Sequence, residues 1–483
     1  MTHLFTNTSV VLWLLLFAGG FALAGVWYSR RDRDSLEDYV VARNSQTATA
    51  TVLTLLATSL GAWILFAPAQ AATWGGLSAV IGYALGALSP RWAMIPLGRR
   101  MRELIPQGHT LTEFVITRYG RVMYGLTLVI MMFFMFITLT AEITAISKLV
   151  ALIAPIPLWV TAAIVLGCTL LYTSYGGLRA TIFTDKIQMM VIVPLLAVLL
   201  WLGWKAVGGI EPAYAGLQLR APQLLRLSDP SGIKAGLTFF VAILLTGLFH
   251  QGNWQRVYAA RDTRSMRRGF MLGGLLAAPV IFMMGLFGLA FVGLGSPGDS
   301  SVALFSVVLP HVPGWFVIAL IPLGLALVMS SADTAISAVS SIIAVDVRRL
   351  MPQAKQATLM RLSRWLIFLL AIPVLIAAAQ GYSVLYLFLL ADLFCSAAAF
   401  PVFFGLYSRR HTGSIAVLST VCGLIAGVFL FPAPGEKPDY LLESFLLAAL
   451  VPVVVSGICL WLSNSKHRFD FTRLNAAIRS LDS

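Results

Sequence analysis

Asp333 stands in Ser330-Ser331-Ala332-Asp333-Thr334, a polar island inside an apolar run from about Gly314 to Val345. A carboxylate at membrane depth costs roughly 2.5–3.5 kcal/mol even on a lenient insertion scale, so it persists where a partner, water or ion compensates it. On a helix, Ser330, Asp333, Thr334, Ser337 and Ser341 recur at i, i+3, i+4, i+7 and i+11 and share one stripe, so several hard oxygens face the same way. That set suits an alkali or other hard cation better than a soft metal. The alternative is a helix whose hydroxyls and carboxylate pack against polar neighbours.

Other polar groups lie at similar depth. Asp185 follows the turn Tyr175-Gly176-Gly177-Leu178-Arg179, Glu142 and Lys148 share one apolar run, and Asp392 lies in another. Lys148 and Lys186 can snorkel or pair with nearby acids, an account that fits Glu142 and Lys148 better than Asp185. Two apolar runs are interrupted, one by Ala57-Thr58-Ser59-Leu60-Gly61-Ala62-Trp63 and one by Thr246-Gly247-Leu248-Phe249-His250-Gln251-Gly252-Asn253-Trp254. Glycine-flanked polar stretches of this kind free backbone carbonyls and amides to bind a solute or ion, unless they only serve polar helix packing. A solute pocket there draws on Thr58, Ser59, Gly61, Trp63, Phe249, His250 and Gln251, with Glu142 and Asp392 as further candidates. His250 reads equally as a contact or as a polar packing group. No paired His/Glu metal motif and no nucleophile with a nearby base stands out, so an enzyme is not expected.

These residues need a membrane scaffold to hold them. Hydrophobic residues make up 59% of the 483 and charged residues 11%, with a mean hydropathy of +0.86, the balance of an all-α polytopic membrane protein. About thirteen transmembrane helices fit, near 8–28, 47–72, 76–98, 122–153, 157–175, 180–203, 233–252, 269–294, 313–345, 363–381, 383–408, 412–432 and 439–463. With the N terminus outside, inner connections collect clusters such as Arg30, Arg31, Arg33 and Arg43; Arg256, Arg261, Arg264, Arg267 and Arg268; and Lys466 with Arg468. Outer connections hold only Lys205, Arg220, Arg226, Lys234 and Lys437, as the positive-inside rule requires, and the C terminus is then cytoplasmic. The net charge of +14 is orientation signal and attraction to anionic lipid, with no need for nucleic acid.

The first run carries Ala22-Leu23-Ala24, which resembles a cleavage site, yet Met1 to Ser9 has no Lys or Arg, so the run is expected to be retained. Phe471, Leu474, Ile478 and Leu481 recur at roughly helical spacing and read as an interfacial helix on the inner leaflet or as a disordered tail. The four cysteines, Cys168, Cys395, Cys422 and Cys459, match no metal or redox spacing and read as small core residues. Span two enters from the inside and span seven from the outside, so two five-helix blocks, 47–203 and 233–408, are expected as inverted repeats. A peripheral first helix at 8–28, two peripheral helices within 412–463 and a cytoplasmic tail at 464–483 complete a single transporter domain.

With these residues in view, the chain resembles the sodium/solute symporter family, which includes the sodium/proline, sodium/galactose and sodium/sialic-acid symporters. The resemblance runs through Ser35 to Asn44, Ala57 to Trp63, Tyr175 to Gln188, Trp254 to Asp262 and Val328 to Val347, in that order on the corresponding spans. It implies a leucine-transporter-like fold with a five-plus-five inverted repeat. It also implies a sodium site common to the family, formed here by carbonyls of Ala57, Leu60 and Leu327 and by Ser330 and Ser331. A second sodium site, found in some members, would use Asp185, Ser330, Asp333 and Thr334. Ser59 replaces the acidic residue of the proline symporter, and that protein's aromatic residues in the sixth core helix are lacking, which weakens the case for proline.

The expected function is sodium-coupled import of a small organic solute by alternating access, with one or two sodium ions and no other metal. A bacterial inner (plasma) membrane is the expected location, with lipid and the solute as partners; a monomer is sufficient, and the oligomeric state is left open. Amino acids, small carboxylates, urea-like compounds and sugars all remain open as cargo. The alternatives are a proton-coupled transporter using Asp333 or Asp185, and a membrane solute sensor.

Overall fold

The computed structural model describes residues 5–30, 35–351, 353, 355–434, 436, 438–463, 468–479 and 481. Arg31, Arg33, Lys437 and Lys466 of the charge pattern lie outside these. The helices run in the order α1 (Asn7–Ser29), α2 (Leu36–Val40), α3 (Ala48–Ser59), α4 (Ala67–Leu104), α5 (Leu111–Tyr119) and α6 (Arg121–Ile153). They continue through α7 (Leu158–Ala206), α8 (Ile210–Arg220), α9 (Pro230–Thr246), α10 (Gln251–Ala259), α11 (Thr263–Gly293) and α12 (Ala303–Val308). The last six are α13 (Gly314–Leu350), α14 (Gln356–Ala379), α15 (Val384–Phe404), α16 (Gly413–Val428), α17 (Leu441–Leu462) and α18 (Thr472–Ala477). Among the described residues the only β-type pairing is one isolated bridge, Gln46 to Ala260.

Nine described helices are long and apolar enough to cross a membrane, or ten with α9 and α10 taken as one span bent by 56°. The two longest, α7 and α4, are bent inside and serve two passes each. At 1.5 Å per residue, the 49 residues of α7 extend about 73 Å against a hydrocarbon core of about 30 Å. The chain turns inside α7 at Gly177 (φ 53°, ψ −145°) and inside α4 at Gly76 (φ 63°, ψ −158°), backbone angles that only glycine adopts without strain. Each therefore contributes to two passes, and with the shorter apolar α3 and α16 the thirteen expected spans are accounted for.

Helix α13 is the centre of the molecule. Of its most apolar window 83% is buried, against 22% for α17 and 28% for α14, which face outward. The stripe Ser330, Asp333, Thr334, Ser337 and Ser341 is wholly buried, so the polar island faces protein and not lipid. α1 packs along α7, where Gly25 lies flat against the Tyr172 ring. The C-terminal segment departs from the interfacial reading: Leu474, Ile478 and Leu481 are buried against the protein, beside α4 and α5, and not laid into a leaflet. Phe471 accounts for this placement, since Arg100 and Arg409 both stack on its ring.

Candidate functional site

α3 ends at Leu60 and Gly61, the latter in an extended conformation (φ −78°, ψ 174°), with the Thr58 and Ser59 hydroxyls bonded back to the Thr54 and Leu55 carbonyls. Leu60 caps the helix, and a short 3-10 turn at Ala62–Leu65 follows. This break leaves amides that need an acceptor, and Glu142 of α6 supplies it by accepting from the Ala62 N–H at 2.8 Å. A carboxylate at a helical N-terminus is favoured by the dipole as well as by the hydrogen bond. Glycine at position 61 is a steric requirement, since a β-carbon there would lie 2.0 Å from Glu142 Oε1 and 2.5 Å from Ser331 Oγ. Glu142 is thus held by the break and not by Lys148, whose side chain runs instead toward Gly381.

The second break separates α9 from α10. Its freed carbonyls are met from one turn further on, as Asn253 Nδ2 donates to the Gly247 carbonyl at 2.9 Å and Trp254 Nε1 to that of Leu248 at 2.8 Å. His250 caps α10, its Nδ1 accepting from the Gly252 N–H at 3.1 Å, which leaves the ring proton to Nε2. The ring meets Phe134 edge-on at 5.8 Å.

α13 crosses the first break and brings its hydroxyls to it. Ser330 Oγ donates within reach of both the Ala57 carbonyl (3.2 Å) and the Leu327 carbonyl (2.9 Å). Ser331 Oγ is buried at the break beside Gly61 and the Glu142 carboxylate. Ala57, Leu60, Leu327, Ser330 and Ser331 therefore gather around one break, and their donors are all hard oxygens, the set that a hard cation needs.

One turn further along α13, Asp333 Oδ2 accepts from Tyr172 (2.7 Å) and Thr184 (3.0 Å). Asp185 Oδ2 accepts from Thr54 and meets Arg256 Nη2 at 3.3 Å, while Asp185 Oδ1 has no partner. Thr334 Oγ1 receives Arg256 Nη2 at 2.9 Å. Arg256 is only 1% exposed, although the sequence places it on an inner connection. The helix restarts after the break and carries Arg256 inward as part of α10, so the span ends at Ala259 rather than near 252. The signal was there in Trp254 and Tyr258, apolar residues one helical turn apart beyond the polar stretch. Lys186 is exposed and forms no ion pair with Asp185 among the described residues.

A cavity of about 120 Å³ lies between the two breaks and is lined by Thr58, Ser59, Trp63, Glu142, His250 and Asp392 among the expected solute residues. Gly61 stands behind it, against Glu142. Phe249 and Gln251 do not line it. Phe249 is fully buried against Phe403 at 5.4 Å. The Gln251 amide donates to the His109 carbonyl (2.9 Å) and accepts from the Leu111 N–H (3.2 Å). Both follow from the 56° bend, which turns consecutive residues toward different neighbours. Tyr83, Arg91, Phe134, Thr138, Ser331 and Phe388 complete much of the wall.

Away from the cavity, α2, the loop before α5 and the start of α5 are joined in a clamp. The Thr110 capping box starts α5 and fixes Glu113 at its first turn. The His109 ring then lies between two carboxylates, Nε2 at 2.8 Å from Glu37 and Nδ1 at 3.1 Å from Glu113. Burial works against its charge, but the two carboxylates outweigh burial and push the imidazole up to about 9. Glu37 is likewise opposed by burial, yet His109 and Arg43 hold it down to about 2. The Leu481 N–H donates to Glu37 Oε2 at 3.0 Å, so the tail closes on the same carboxylate. Gln251 ties α10 to this clamp through the two backbone bonds above.

The sequence model of the sodium:solute symporter family matches residues 39–423. The spermidine transporter DUR31 of Candida albicans is 26% identical over 82% of this chain and 75% of its own length. Sodium/glucose cotransporter 4 of Homo sapiens is also 26% identical, over 94% of this chain and 75% of its own. The sodium/mannose cotransporter SLC5A10 of Bos taurus is 26% identical over 89% and 80%. In fold, the chain is similar to a substrate-bound, outward-open sodium-coupled sialic acid symporter, with a TM-score of 0.77 at 18% identity over 95% of this chain and 98% of that one. It is also similar to Mhp1, a nucleobase-cation-symport-1 family transporter, in a closed conformation with bromovinylhydantoin bound (TM-score 0.59, 13% identity, 90% and 96% covered).

Proposed function

The chain belongs to the sodium:solute symporter family, and from that premise we propose an importer that holds sodium on Ala57, Leu60, Leu327, Ser330 and Ser331 and its solute in the adjoining cavity. One observation carries this reading: Ser331 lines the solute cavity with its hydroxyl against Gly61 at the first break, and its neighbour Ser330 reaches the Ala57 carbonyl of that same break. A cation there and a solute in the cavity share a wall, so each stabilises the arrangement the other needs. Release to the inside requires α10 to leave α5 and the clamp at His109, which gives alternating access its inner gate.

A second sodium at Asp185, Ser330, Asp333 and Thr334 has support in the charge balance. Two buried carboxylates and one buried guanidinium leave the cluster at −1, and Asp185 Oδ1 is free to take one further cation. A proton on Asp333 or Asp185 would balance it equally, which is the proton-coupled reading. The basic inner connections support insertion in a plasma membrane with the N terminus outside, and the two breaks support repeats at 47–203 and 233–408. The relatives' names span a polyamine, glucose and mannose, so likeness alone does not choose the solute.

Uptake into proteoliposomes under a sodium or a potassium gradient at fixed pH tests the proposal. Sodium stimulation that Ser330→Ala and Ser331→Ala shift to higher sodium supports it. Uptake indifferent to sodium but driven by a pH gradient moves the coupling to the acidic cluster.

A further inference from the structure

The wall of the central cavity carries two opposite charges that do not meet each other, and their spacing has the length of a small solute. Tyr83, Ala87 and Arg91 recur at i, i+4 and i+8 on α4, and Phe388 and Asp392 at i and i+4 on α15, so each set points one stripe into the cavity. The two helices run the same way there, since Tyr83 and Phe388 both meet the Trp63 ring toward one end and Arg100 meets the Leu406 carbonyl at the other. Trp63 sets their register, with its ring 5.8 Å from Tyr83 and 6.0 Å from Phe388. Asp392 therefore lies one turn below the three rings and Arg91 two turns below, an offset of about 6 Å along the axis at 1.5 Å per residue.

Neither charge meets an opposite one among the described residues, the Asp392 carboxylate having the Thr246 hydroxyl beside it. Arg91 donates through Nη1 to the Ala87 carbonyl, while its Nε is buried with no partner. Asp392 is 5% exposed and forms no ion pair among the described residues. Glu142, the other acid in the wall, is already engaged by the Ala62 N–H.

On the reading that this cavity is the solute site, we propose that the solute is a compact zwitterion, an amino- or ammonio-carboxylate, bound lengthwise. Its cationic head sits against Asp392 beneath the faces of Trp63, Tyr83 and Phe388, where carboxylate and ring quadrupoles act together. Its carboxylate reaches the Nε and free N–H groups of Arg91, the geometry in which guanidinium recognition of carboxylates is strongest. Size agrees with this. A cavity of about 120 Å³ compares with the ~150 Å³ that holds the six heavy atoms of benzene, so it admits about five to six heavy atoms and not a hexose without widening.

The test measures binding and transport separately on the purified full chain. Thermal stabilisation at saturating sodium is compared for glycine betaine, L-alanine, choline, propionate and glucose, and uptake of the best binder is followed in proteoliposomes with sodium or potassium outside. The proposal expects a zwitterion to bind at least ten-fold more tightly than choline, propionate or glucose. Arg91→Gln should shift preference toward choline, and Asp392→Asn toward propionate, each by about ten-fold. Tightest binding of glucose, choline or propionate by the wild type overturns the zwitterion, as does binding of none of the five at 10-millimolar order. Should either variant fail to fold, charge preference in the wild type decides alone. Zwitterion binding with uptake indifferent to sodium overturns the coupling and leaves the solute class standing.

Discussion

Replacing His109 by Gln removes the positive charge between Glu37 and Glu113 and retains a planar polar side chain at the centre of the inner clamp. The clamp joins α2, the loop before α5 and, through Gln251, the inner half of the second broken span. In an open inner face the imidazole returns toward its ordinary 6.5, whereas in the closed one it is held near 9. That difference is worth at most about 3.4 kcal/mol at 1.36 kcal/mol per pH unit, or roughly 300-fold in the ratio of closed to open. Because the closed-state value is raised, the stabilisation is fully present below pH 6.5 and is lost as pH climbs through about 9. Glu37, held down to about 2, behaves oppositely: its contribution is present above the ordinary 4.5 and is lost only as pH falls toward 2. Across the working range the proton on His109 is therefore what moves. The assay is labelling of Thr58→Cys from the inner side of inverted vesicles, in a background without the four native cysteines, normalised to Arg99→Cys on the exposed inner surface. Wild type should label slowly at pH 7 and accelerate through pH 9; His109→Gln should label faster at pH 7 and show no such step. Equal labelling of the two proteins across pH 6–10 would refute the clamp.

Gly61→Ala forces a β-carbon onto Glu142 and Ser331, so uptake should fall to background while the protein still inserts; Glu142→Ser in the same chain should restore part of it, measured as initial rate. Ser330→Ala and Ser331→Ala should each raise the sodium needed for half-maximal uptake by roughly five- to fifty-fold, the effect of losing a ligand worth about 1–2.3 kcal/mol at 1.4 kcal/mol per decade. Arg256→Met leaves Asp185 and Asp333 without their guanidinium and should lower stability by about 3–5 kcal/mol, seen as earlier thermal unfolding; adding Asp185→Asn should recover much of the loss. Sodium-flux and solute-flux ratios report the second site: Asp333→Asn should reduce the ratio from two toward one, and a ratio of one in both proteins removes that site.

The polar island on α13 was legible because five oxygen-bearing residues fell on one helical stripe inside an apolar run, a pattern that burial in lipid does not tolerate. The two breaks were legible for the same reason. Orientation within a break was not. Thr58 and Ser59 reach the cavity at the first break, whereas at the second a bend of 56° decides which neighbour each residue meets and turns Phe249 and Gln251 away, and no periodicity encodes that bend. Arg256 was concealed by its own charge, which reads as the end of a span until the helix is seen to continue. Tyr83, Phe134 and Phe388 lie in unbroken apolar runs, where a ring facing a cavity looks no different from a ring facing lipid.

The contact between the Leu481 amide and Glu37 has a consequence for how the two ends of the described chain communicate. A backbone N–H carries no side-chain identity, so this bond reads only whether the tail is present and in register, and it lands on the carboxylate that also holds His109. Tail docking and inner closure are therefore coupled through one carboxylate. By reciprocity, the factor by which tail docking favours closure equals the factor by which closure favours tail docking. The tail is thereby a brake whose setting can be read from outside the membrane span, by watching the C terminus rather than the cargo.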